Sequence, residues 1–308
     1  MRFCLLLTVS ILLLCSRIVA QSSELKIWAR MTFDEEGLKF QNKDCLILPF
    51  PVMEGNEKAG SYLALRHYPG NGVKSRLKPL AFSEPGCEDH GRAIKPGKFE
   101  GQDISDGELL LLFDHIGDMP SAPDLMIAFK LFVPKDDVAE YRVAFWNYTQ
   151  EGKKADILIK PPRGQWNLIR LPLHVPNSID MGDIVRNITL RAKSSKPYRW
   201  IVDDIVVWSG EDRQPPSPVK NVTVKADGND NILSWLPATD NLAIAAYEIH
   251  RGTVIDFKPS PQTLIGKTAE CHFRDFFPMH EDSFYRIITI DYAENSSTPT
   301  AACQRTAN

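Results

Sequence analysis

The sequence predicts an all-β chain, with an N-terminal β-sandwich of the jelly-roll type followed by a second β-sandwich. Three observations support this prediction. Short runs of β-branched and aromatic residues recur along the 308 residues, clusters of Gly, Pro, Asn and Asp separate these runs, and no long amphipathic helix is visible. Many short strands joined by turn residues are typical of sandwiches and jelly rolls.

The first half holds eight predicted strands. In chain order they are SYLALRHY (61–68), ELLLLFDH (108–115), DLMIAFKLFV (124–133), YRVAFWNYT (141–149), ADILIK (155–160), QWNLIRLPL (165–173), ITLRA (188–192) and YRWIVDDIVVW (198–208). We expect Trp166 and Trp208 in the core. Apart from its one predicted strand, the segment 43–106 is less regular and rich in Gly and Pro, so we expect long loops there.

A proline cluster divides the chain. Pro215, Pro216 and Pro218 cannot continue a helix or a central strand, and they favour a stiff extended connector. The predicted parts are a first domain over 21–210, a linker over 211–218 and a second domain over 219–308. The strands predicted in the second domain are 222–225, 232–235, 247–251 and 284–291, with a turn at Asp227-Gly228 and Trp235 in the core.

The chain begins with the features of a secretory signal peptide, residues 1–20. One Arg precedes an apolar run over 3–15, which is too short to span a bilayer, and a short stretch then ends at Ala20. We predict cleavage after Ala20 and a secreted, extracellular protein, or one in the periplasm or at the cell surface if the source is bacterial. Lipid attachment at Cys15 is less favoured, because Leu14 stands where that motif needs a small residue.

Charge and hydropathy exclude two classes of partner. The chain holds 36 Lys and Arg against 39 Asp and Glu, a net charge of −3, which gives no reason to expect nucleic acid or an anionic membrane surface. Beyond the leader no stretch approaches 18 apolar residues, so no membrane span is expected.

Four cysteines follow the leader: Cys45, Cys87, Cys271 and Cys303. An even number in an exported chain indicates disulfides, and the spacing places one pair in each half. A bridge between Cys45 and Cys87 would close a loop worth about 4 kcal/mol in the chain-entropy model. No spacing of Cys and His indicates zinc.

The second half resembles a fibronectin type III domain. The resemblance lies in the leading prolines, in LSW followed by PATDN, in YEIHRG and in FYRIITIDYAENSS, over residues 215–305. It implies a spacer that presents the first domain, with a direct binding role as the alternative. In this fold Cys271 and Cys303 would fall near the fifth and the last strands, which lie in different sheets, so their pairing is left open.

The first half resembles the galactose-binding-like jelly rolls of carbohydrate-binding modules. The segments that carry the resemblance are IWARMTFDEEGLKF, RGQWNLIRLPL and YRWIVDDIVVW, within residues 24–210. The resemblance implies that the first domain binds a polysaccharide or another glycan.

In many modules of this type the first and last strands share a structural Ca²⁺ site. The candidate ligands are Asp34, Glu35 or Glu36 from one end and Asp203 or Asp204 from the other, and our choice is Asp34, Glu36 and Asp204. Hard cations take oxygen ligands, and carboxylates within an apolar strand need a partner or solvent. The alternative is that one of the two adjacent aspartates faces solvent, while the other accepts hydrogen bonds from backbone or Arg donors.

Sugar binding needs flat aromatic faces with a few polar groups beside them. In YRVAFWNYT the period of a strand places Arg142, Trp146 and Tyr148 on one face, and Tyr68 ends another strand. We predict Trp146, Tyr148, Arg142 and Tyr68 as the ligand-binding residues. Burial of Trp146 in the core is the alternative.

The sequence carries no nucleophile elbow, no H-E-x-x-H motif and no Gly-rich phosphate loop. A glycosidase needs two carboxylates, for which the candidates are Glu84, Glu88 and Asp89, or Glu108 with Asp114. We therefore favour a secreted carbohydrate-binding protein without enzyme activity. A polysaccharide-degrading enzyme is one alternative, and an extracellular adhesion or structural protein with a protein partner is the other.

Overall fold

The structure is a computed structural model. It describes residues 24–31, 33, 40–41, 45–47, 62–69, 76–78, 80–83, 92–114, 119–120, 124–147, 154–173, 184–276, 278 and 283–305. These residues form strands, turns and coil, and no helix occurs among them, so the prediction of an all-β fold is confirmed. Accordingly, this part of the chain offers no apolar helix of membrane-spanning length.

Two antiparallel sheets face each other in what we call the N-terminal sandwich. Strands are numbered in chain order. The six-stranded sheet contains β1 (Lys26–Met31), β6 (Leu80–Ser83), β7 (Ala93–Pro96), β12 (Met126–Val133), β15 (Gln165–Pro172) and β17 (Ile201–Ser209). Their order is β15-β12-β17-β7-β6, and β1 pairs with β17.

The second sheet of this sandwich has nine strands. They are β2 (Phe40–Gln41), β3 (Cys45–Ile47), β4 (Tyr62–Tyr68), β5 (Arg76–Lys78), β10 (Glu108–Asp114), β11 (Met119–Pro120), β13 (Glu140–Asn147), β14 (Lys154–Ile159) and β16 (Ile184–Lys193). The main path is β14-β13-β16-β10-β4-β3-β2, with β11 beside β16 and β5 beside β4. A small ribbon pairs β8 (Lys98–Phe99) with β9 (Gln102–Asp103).

Side-chain alternation along β10 separates the core from the outward face. Leu109 and Leu111 are fully buried and belong to the core between the two sheets. Glu108 and Leu110 alternate onto the other face of the nine-stranded sheet, because successive residues of a strand point in opposite directions. Each fully buried Leu contributes roughly 2 kcal/mol to folding.

The segment 43–106 contains more strands than the sequence analysis predicted. Five short strands, β5 to β9, lie between residues 76 and 103 where we expected loops. Each has two to four residues. Runs this short, with Lys and Pro among them, do not show the alternation by which a strand is recognised in a sequence.

The remaining strands form the C-terminal sandwich. One sheet has the order β18 (Lys220–Asp227), β19 (Asp230–Leu236) and β22 (His272–Asp275). The other has the order β21 (Leu264–Thr268), β20 (Ile244–Gly252), β23 (Phe284–Asp291) and β24 (Cys303–Gln304). Trp235 lies 6% exposed in the core between these sheets, as predicted, and packs edge-on against Tyr247 at a centroid distance of 5.4 Å.

The two sandwiches meet at an apolar junction. Ala128, Val206 and Trp208 from the six-stranded sheet form one buried cluster with residues of the C-terminal sandwich, namely Leu242, Ala243, Ala245 and Tyr292. The Tyr292 hydroxyl donates a hydrogen bond of 2.9 Å to the carbonyl oxygen of Asp204. The contact therefore combines apolar packing with a directed hydrogen bond.

The two adjacent aspartates of YRWIVDDIVVW lie at a β-bulge in β17. The pairing of β12 with β17 shifts register between Ala128 and Lys130, and Asp204 has a φ of 47°. Asp203 is 4% exposed, and its Oδ1 accepts a hydrogen bond of 2.8 Å from the Asp204 amide. The Asp204 Oδ2 lies 3.0 Å from the ammonium of Lys130, whose side chain is 1% exposed.

Candidate functional site

Strand register gathers polar side chains onto the outward face of the nine-stranded sheet. One row across the sheet consists of Glu140 on β13, Lys193 on β16, Glu108 on β10 and Tyr68 on β4. Because neighbouring strands lie about 4.8 Å apart, residues of one row can contact a common ligand.

The next row adds two guanidinium groups, since Arg142 on β13 is the direct partner of Arg191 on β16. On the other side of Arg142, β14 places Asp156 beside this pair. The result is a set of alternating positive and negative side chains on one surface.

Arg191 is the centre of this set. Its Nη2 donates a 2.6 Å hydrogen bond to Glu108 Oε1, and its Nη1 donates another of 2.6 Å to Asp156 Oδ2. Arg142 donates from Nε to Glu140 Oε1 at 2.9 Å, and its Nη1 lies 3.6 Å from Asp156 Oδ1. The latter is an ion-pair separation, too long for a hydrogen bond, so Asp156 Oδ1 retains acceptor capacity.

These residues line a cleft of about 390 Å³, which we call the charged cleft. Its lining consists of Tyr68, Gly107, Glu108, Glu140, Arg142, Asp156, Arg191 and Lys193. Three carboxylates and three cations balance one another. Tyr68 lies at one side of the cleft and is 37% exposed.

A buried tyrosine supports the floor of the cleft at Gly107. The Tyr198 hydroxyl donates a 2.7 Å hydrogen bond to the carbonyl oxygen of Gly107 and accepts one of 3.1 Å from the amide of Ser194. Burial raises the pKa of Tyr198 to about 12, so this hydroxyl keeps its proton and remains a donor near neutral pH. Tyr198 thus fixes the segment before β10 against the segment after β16.

The structure brings two of the four predicted ligand-binding residues together. Tyr68 and Arg142 both line the charged cleft, although they come from distant strands. Trp146 lies in β13, where its backbone pairs with Asn187 and Lys154, but its side chain is outside what the structure describes. Tyr148 also lies outside the described residues.

Most residues of the charged cleft were not predicted from the sequence. Glu140, Asp156, Arg191 and Lys193 were not selected, and Glu108 was considered only as a catalytic candidate. The available signal was charge at alternate positions within β-rich runs, such as Arg191 and Lys193 in ITLRAK.

A second groove of about 430 Å³ lies between the sandwiches. Trp166 and Leu168 line it from β15, and Lys267 and Glu270 line it from the C-terminal sandwich. Trp166 is therefore half-buried at this groove and is not part of the central core, contrary to our expectation, because it lies at the sheet edge against Phe132. Trp208 is 2% exposed, as expected.

The predicted calcium ligands are not brought together within the described residues. Asp34 and Glu36 lie outside them, so that site stays a prediction. The carboxylate of Asp204, the third predicted ligand, forms an ion pair with the buried Lys130 ammonium. A different set of carboxylates, Asp212, Asp240 and Asp291, has one oxygen from each within 4.8 Å of the others.

The structure forms no disulfide between Cys271 and Cys303. Cys271 directly precedes β22 of one sheet, and Cys303 lies in β24 of the other. The Cys303 Sγ donates a 3.4 Å hydrogen bond to the carbonyl oxygen of Tyr285. Burial raises the pKa of the Cys303 thiol to about 11, which makes the reactive thiolate rare. Cys87 and the side chain of Cys45 lie outside the described residues, so that bridge remains a prediction.

Comparisons with known proteins show distant structural likeness. No family model matches the sequence, and no curated protein matches it. The glycoside hydrolase domain of Endo-D from Streptococcus pneumoniae is 9% identical, with a TM-score of 0.38, over 79% of this chain and 37% of that one. A β-1,2-glucanase from Parabacteroides distasonis is 14% identical, with a TM-score of 0.32, over 80% of this chain and 37% of that one.

A shorter protein is also similar. The family 11 carbohydrate-binding module of a cellulosomal cellulase from Clostridium thermocellum is 16% identical, with a TM-score of 0.33, over 60% of this chain and 96% of that module. The chain thus spans little more than a third of the two larger proteins. Likeness at this level assigns no activity.

Proposed function

We propose that this protein binds a glycan, without enzymatic turnover, in the charged cleft of its N-terminal sandwich. The observation that carries the proposal is the register that places Tyr68, Arg142 and Arg191 in one open cleft with three carboxylates. The predicted signal peptide supports a role outside the cell.

The chemistry of the cleft suits a sugar. A pyranose ring presents an apolar C–H face and a rim of hydroxyl groups, so its partner needs an aromatic surface and fixed hydrogen-bonding groups. Tyr68 supplies the aromatic surface. Arg142 and Asp156 supply planar donors and acceptors, which their mutual ion pairs hold in place before the ligand arrives.

The charge balance favours a glycan without net charge. Three cations face three carboxylates across the cleft lining, so the cleft has no excess charge with which to attract a polyanion or a polycation. Neutral hydroxyl groups can accept from the guanidinium groups and donate to the carboxylates. We therefore place neutral polysaccharides ahead of sulfated or uronic acid polymers.

The same contacts favour binding over hydrolysis. Glycosidases need one carboxylic acid that donates a proton and a second carboxylate at a set distance. Glu108, Glu140 and Asp156 are each engaged as acceptors by a guanidinium group. Such contacts are typical of a recognition surface, so the polysaccharide-degrading enzyme is the second candidate.

We propose a fibronectin type III-like spacer for the C-terminal sandwich. Its three-plus-four arrangement of antiparallel strands and its core Trp235 support this interpretation. Its apolar contact with the first domain is made by β12 and β17 of the six-stranded sheet, which do not line the charged cleft.

Replacement of Tyr68 by Ala is expected to weaken glycan binding about tenfold, because the ligand loses its aromatic contact. Arg142→Met is expected to have a similar effect through lost hydrogen bonds. The full chain would first be applied to a glycan array to find the best ligand. Titration calorimetry with that glycan would then compare the variants.

The matched control is Phe276→Ala, since Phe276 is a 60% exposed aromatic residue on the C-terminal sandwich. This variant should bind like the parent. Unchanged affinity in both Tyr68→Ala and Arg142→Met would remove the charged cleft as the site, and binding to no glycan would remove the function. Release of sugar products from a bound glycan would support the enzyme instead.

A further inference from the structure

Three acidic side chains converge where the two sandwiches join, and we call them the acid cluster. Asp212 follows β17 on the segment that leads to β18, Asp240 lies in the turn between β19 and β20, and Asp291 ends β23. One carboxylate oxygen from each lies within 4.8 Å of the other two. Asp291 is fully buried and Asp212 is 7% exposed.

Local hydrogen bonds hold each carboxylate in place. Asp212 Oδ1 accepts from the amide of Gln214 and from Nδ2 of Asn241, both at 3.0 Å. Asp240 Oδ2 accepts from the Leu242 amide at 2.7 Å. Both oxygens of Asp291 accept from Asn295, at 2.8 Å each. The carboxylates are thus fixed before any ligand is present.

These bonds leave oxygen atoms buried without a partner. Asp212 Oδ2, Asp240 Oδ1 and the side-chain oxygen of Asn241 accept no hydrogen bond. A buried acceptor that lacks a partner costs about 1–3 kcal/mol, and more when it is charged. Asp212 is more than nine-tenths buried, so water does not readily satisfy its second oxygen. These oxygen atoms favour a metal ion that is coordinated by oxygen ligands.

The spacing fits one bound ion. Two oxygens at about 2.4 Å from a common Ca²⁺ ion lie at most about 4.8 Å apart, the limit within which the three carboxylates fall. Mg²⁺ requires a near-ideal octahedron and usually keeps several waters, so protein carboxylates alone seldom bind it. Three carboxylates with a neighbouring amide oxygen are the donor set of a hard divalent cation.

The charges of the acid cluster point the same way. Three carboxylates whose oxygens lie within 4.8 Å of one another repel, and Asp212 and Asp291 are buried. A divalent cation between them removes that penalty.

We propose that Asp212, Asp240 and Asp291 form a Ca²⁺ site at the junction of the two sandwiches. The ion would join the connecting segment to two turns of the C-terminal sandwich. Asn295, which bonds both Asp291 and the carbonyl oxygen of Asp212, already links two of these elements. Calcium would thereby fix the orientation of the two sandwiches relative to each other. The proposal is independent of the glycan-binding proposal.

Thermal unfolding of the full chain in CaCl₂ and in EDTA tests the site. Calcium is expected to raise the melting temperature by roughly 5 °C or more when it is well above its dissociation constant. Titration calorimetry should show a Ca²⁺ binding event that Asp240→Asn abolishes, with weaker binding of Mg²⁺. Asp240→Asn should lose the calcium-dependent shift. In EDTA this variant should melt no lower than the parent, because a repulsive charge is gone. If Asp240 had only a structural role, the variant would melt at a lower temperature than the parent in EDTA.

Asp256→Asn is the matched control, since Asp256 is exposed beyond β20, at the opposite end of that strand from Asp240. It changes the net charge equally and should keep the full calcium shift. Equal melting temperatures in calcium and EDTA would overturn the proposal. A calcium shift that survives in both Asp240→Asn and Asp291→Asn would also overturn it, since the ion would then bind elsewhere.

Discussion

Replacement of Lys130 by Met is expected to lower the free energy of unfolding by about 3 kcal/mol, because Asp204 would lose its cation. Lys130 is fully buried on β12, and its ammonium lies 3.0 Å from Asp204 Oδ2. The Asp204 side chain is 18% exposed, which limits the penalty to the lower end of the range for broken buried pairs. The melting temperature should fall by roughly 8 °C.

A double-mutant cycle separates the charge from the packing. Asp204→Asn in the Lys130→Met background should recover about half of the loss, since the uncompensated carboxylate is then absent. Lys160→Met, at an exposed position after β14, provides the control and should unfold like the parent. Denaturant unfolding would compare the parent, Lys130→Met, Asp204→Asn, the double variant and the control. Equal midpoints for Lys130→Met and the parent would show that the pair contributes nothing.

The strands and their core faces follow from local sequence patterns. YRVAFWN alternates in a way that places Val143 and Phe145 in the core, whereas the unbroken apolar run of ELLLLFD predicts a strand without showing which Leu residues face the core. Trp235 was placed correctly for the same reason, because it ends a run in which alternate residues are apolar. Local alternation carries this information because the period of a strand is set by the backbone itself.

The charged cleft depends on strand order and register, which single strands do not encode. Tyr68 and Arg142 share the cleft because β10 and β16 lie between β4 and β13. The order arises from long-range packing of the two sheets, and a change of register by one residue would turn Arg191 into the core. The sequence supplied candidate side chains, and the topology selected those that meet.

Contacts between residues that are far apart in sequence determine the surroundings of the two unusual sets of carboxylates. The ion pair of Asp204 with Lys130 was not predicted, because Lys130 lies on another strand and looks in sequence like one polar residue in an apolar run. Asp240 and Asp291 lie in PATDN and DYAENSS, which served to recognise a domain type. Their convergence with Asp212 depends on how the connecting segment returns to the C-terminal sandwich.

Replacement of Gly107 by Ala is expected to destabilise the protein by about 3 kcal/mol and to abolish glycan binding. Gly107 precedes β10 with a φ of 80°, and an added Cβ would lie 2.1 Å from the carbonyl oxygen of Tyr68 and 2.8 Å from the Cα of Pro69. Both atoms belong to the backbone, so no side-chain movement relieves the overlap. The ends of β10 and β4 must separate, which displaces Tyr68 from the cleft.

Gly101→Ala provides a close control for this effect. Gly101 also has a φ of 80°, but nothing lies within 4 Å of its added Cβ. This variant therefore carries the strain of a left-handed alanine alone, about 1 kcal/mol, and should bind glycan normally. Chemical unfolding and calorimetry of the two variants would separate backbone strain from steric overlap. If both variants lose equal stability and keep their affinity, close approach of the backbone at Gly107 does not shape the cleft.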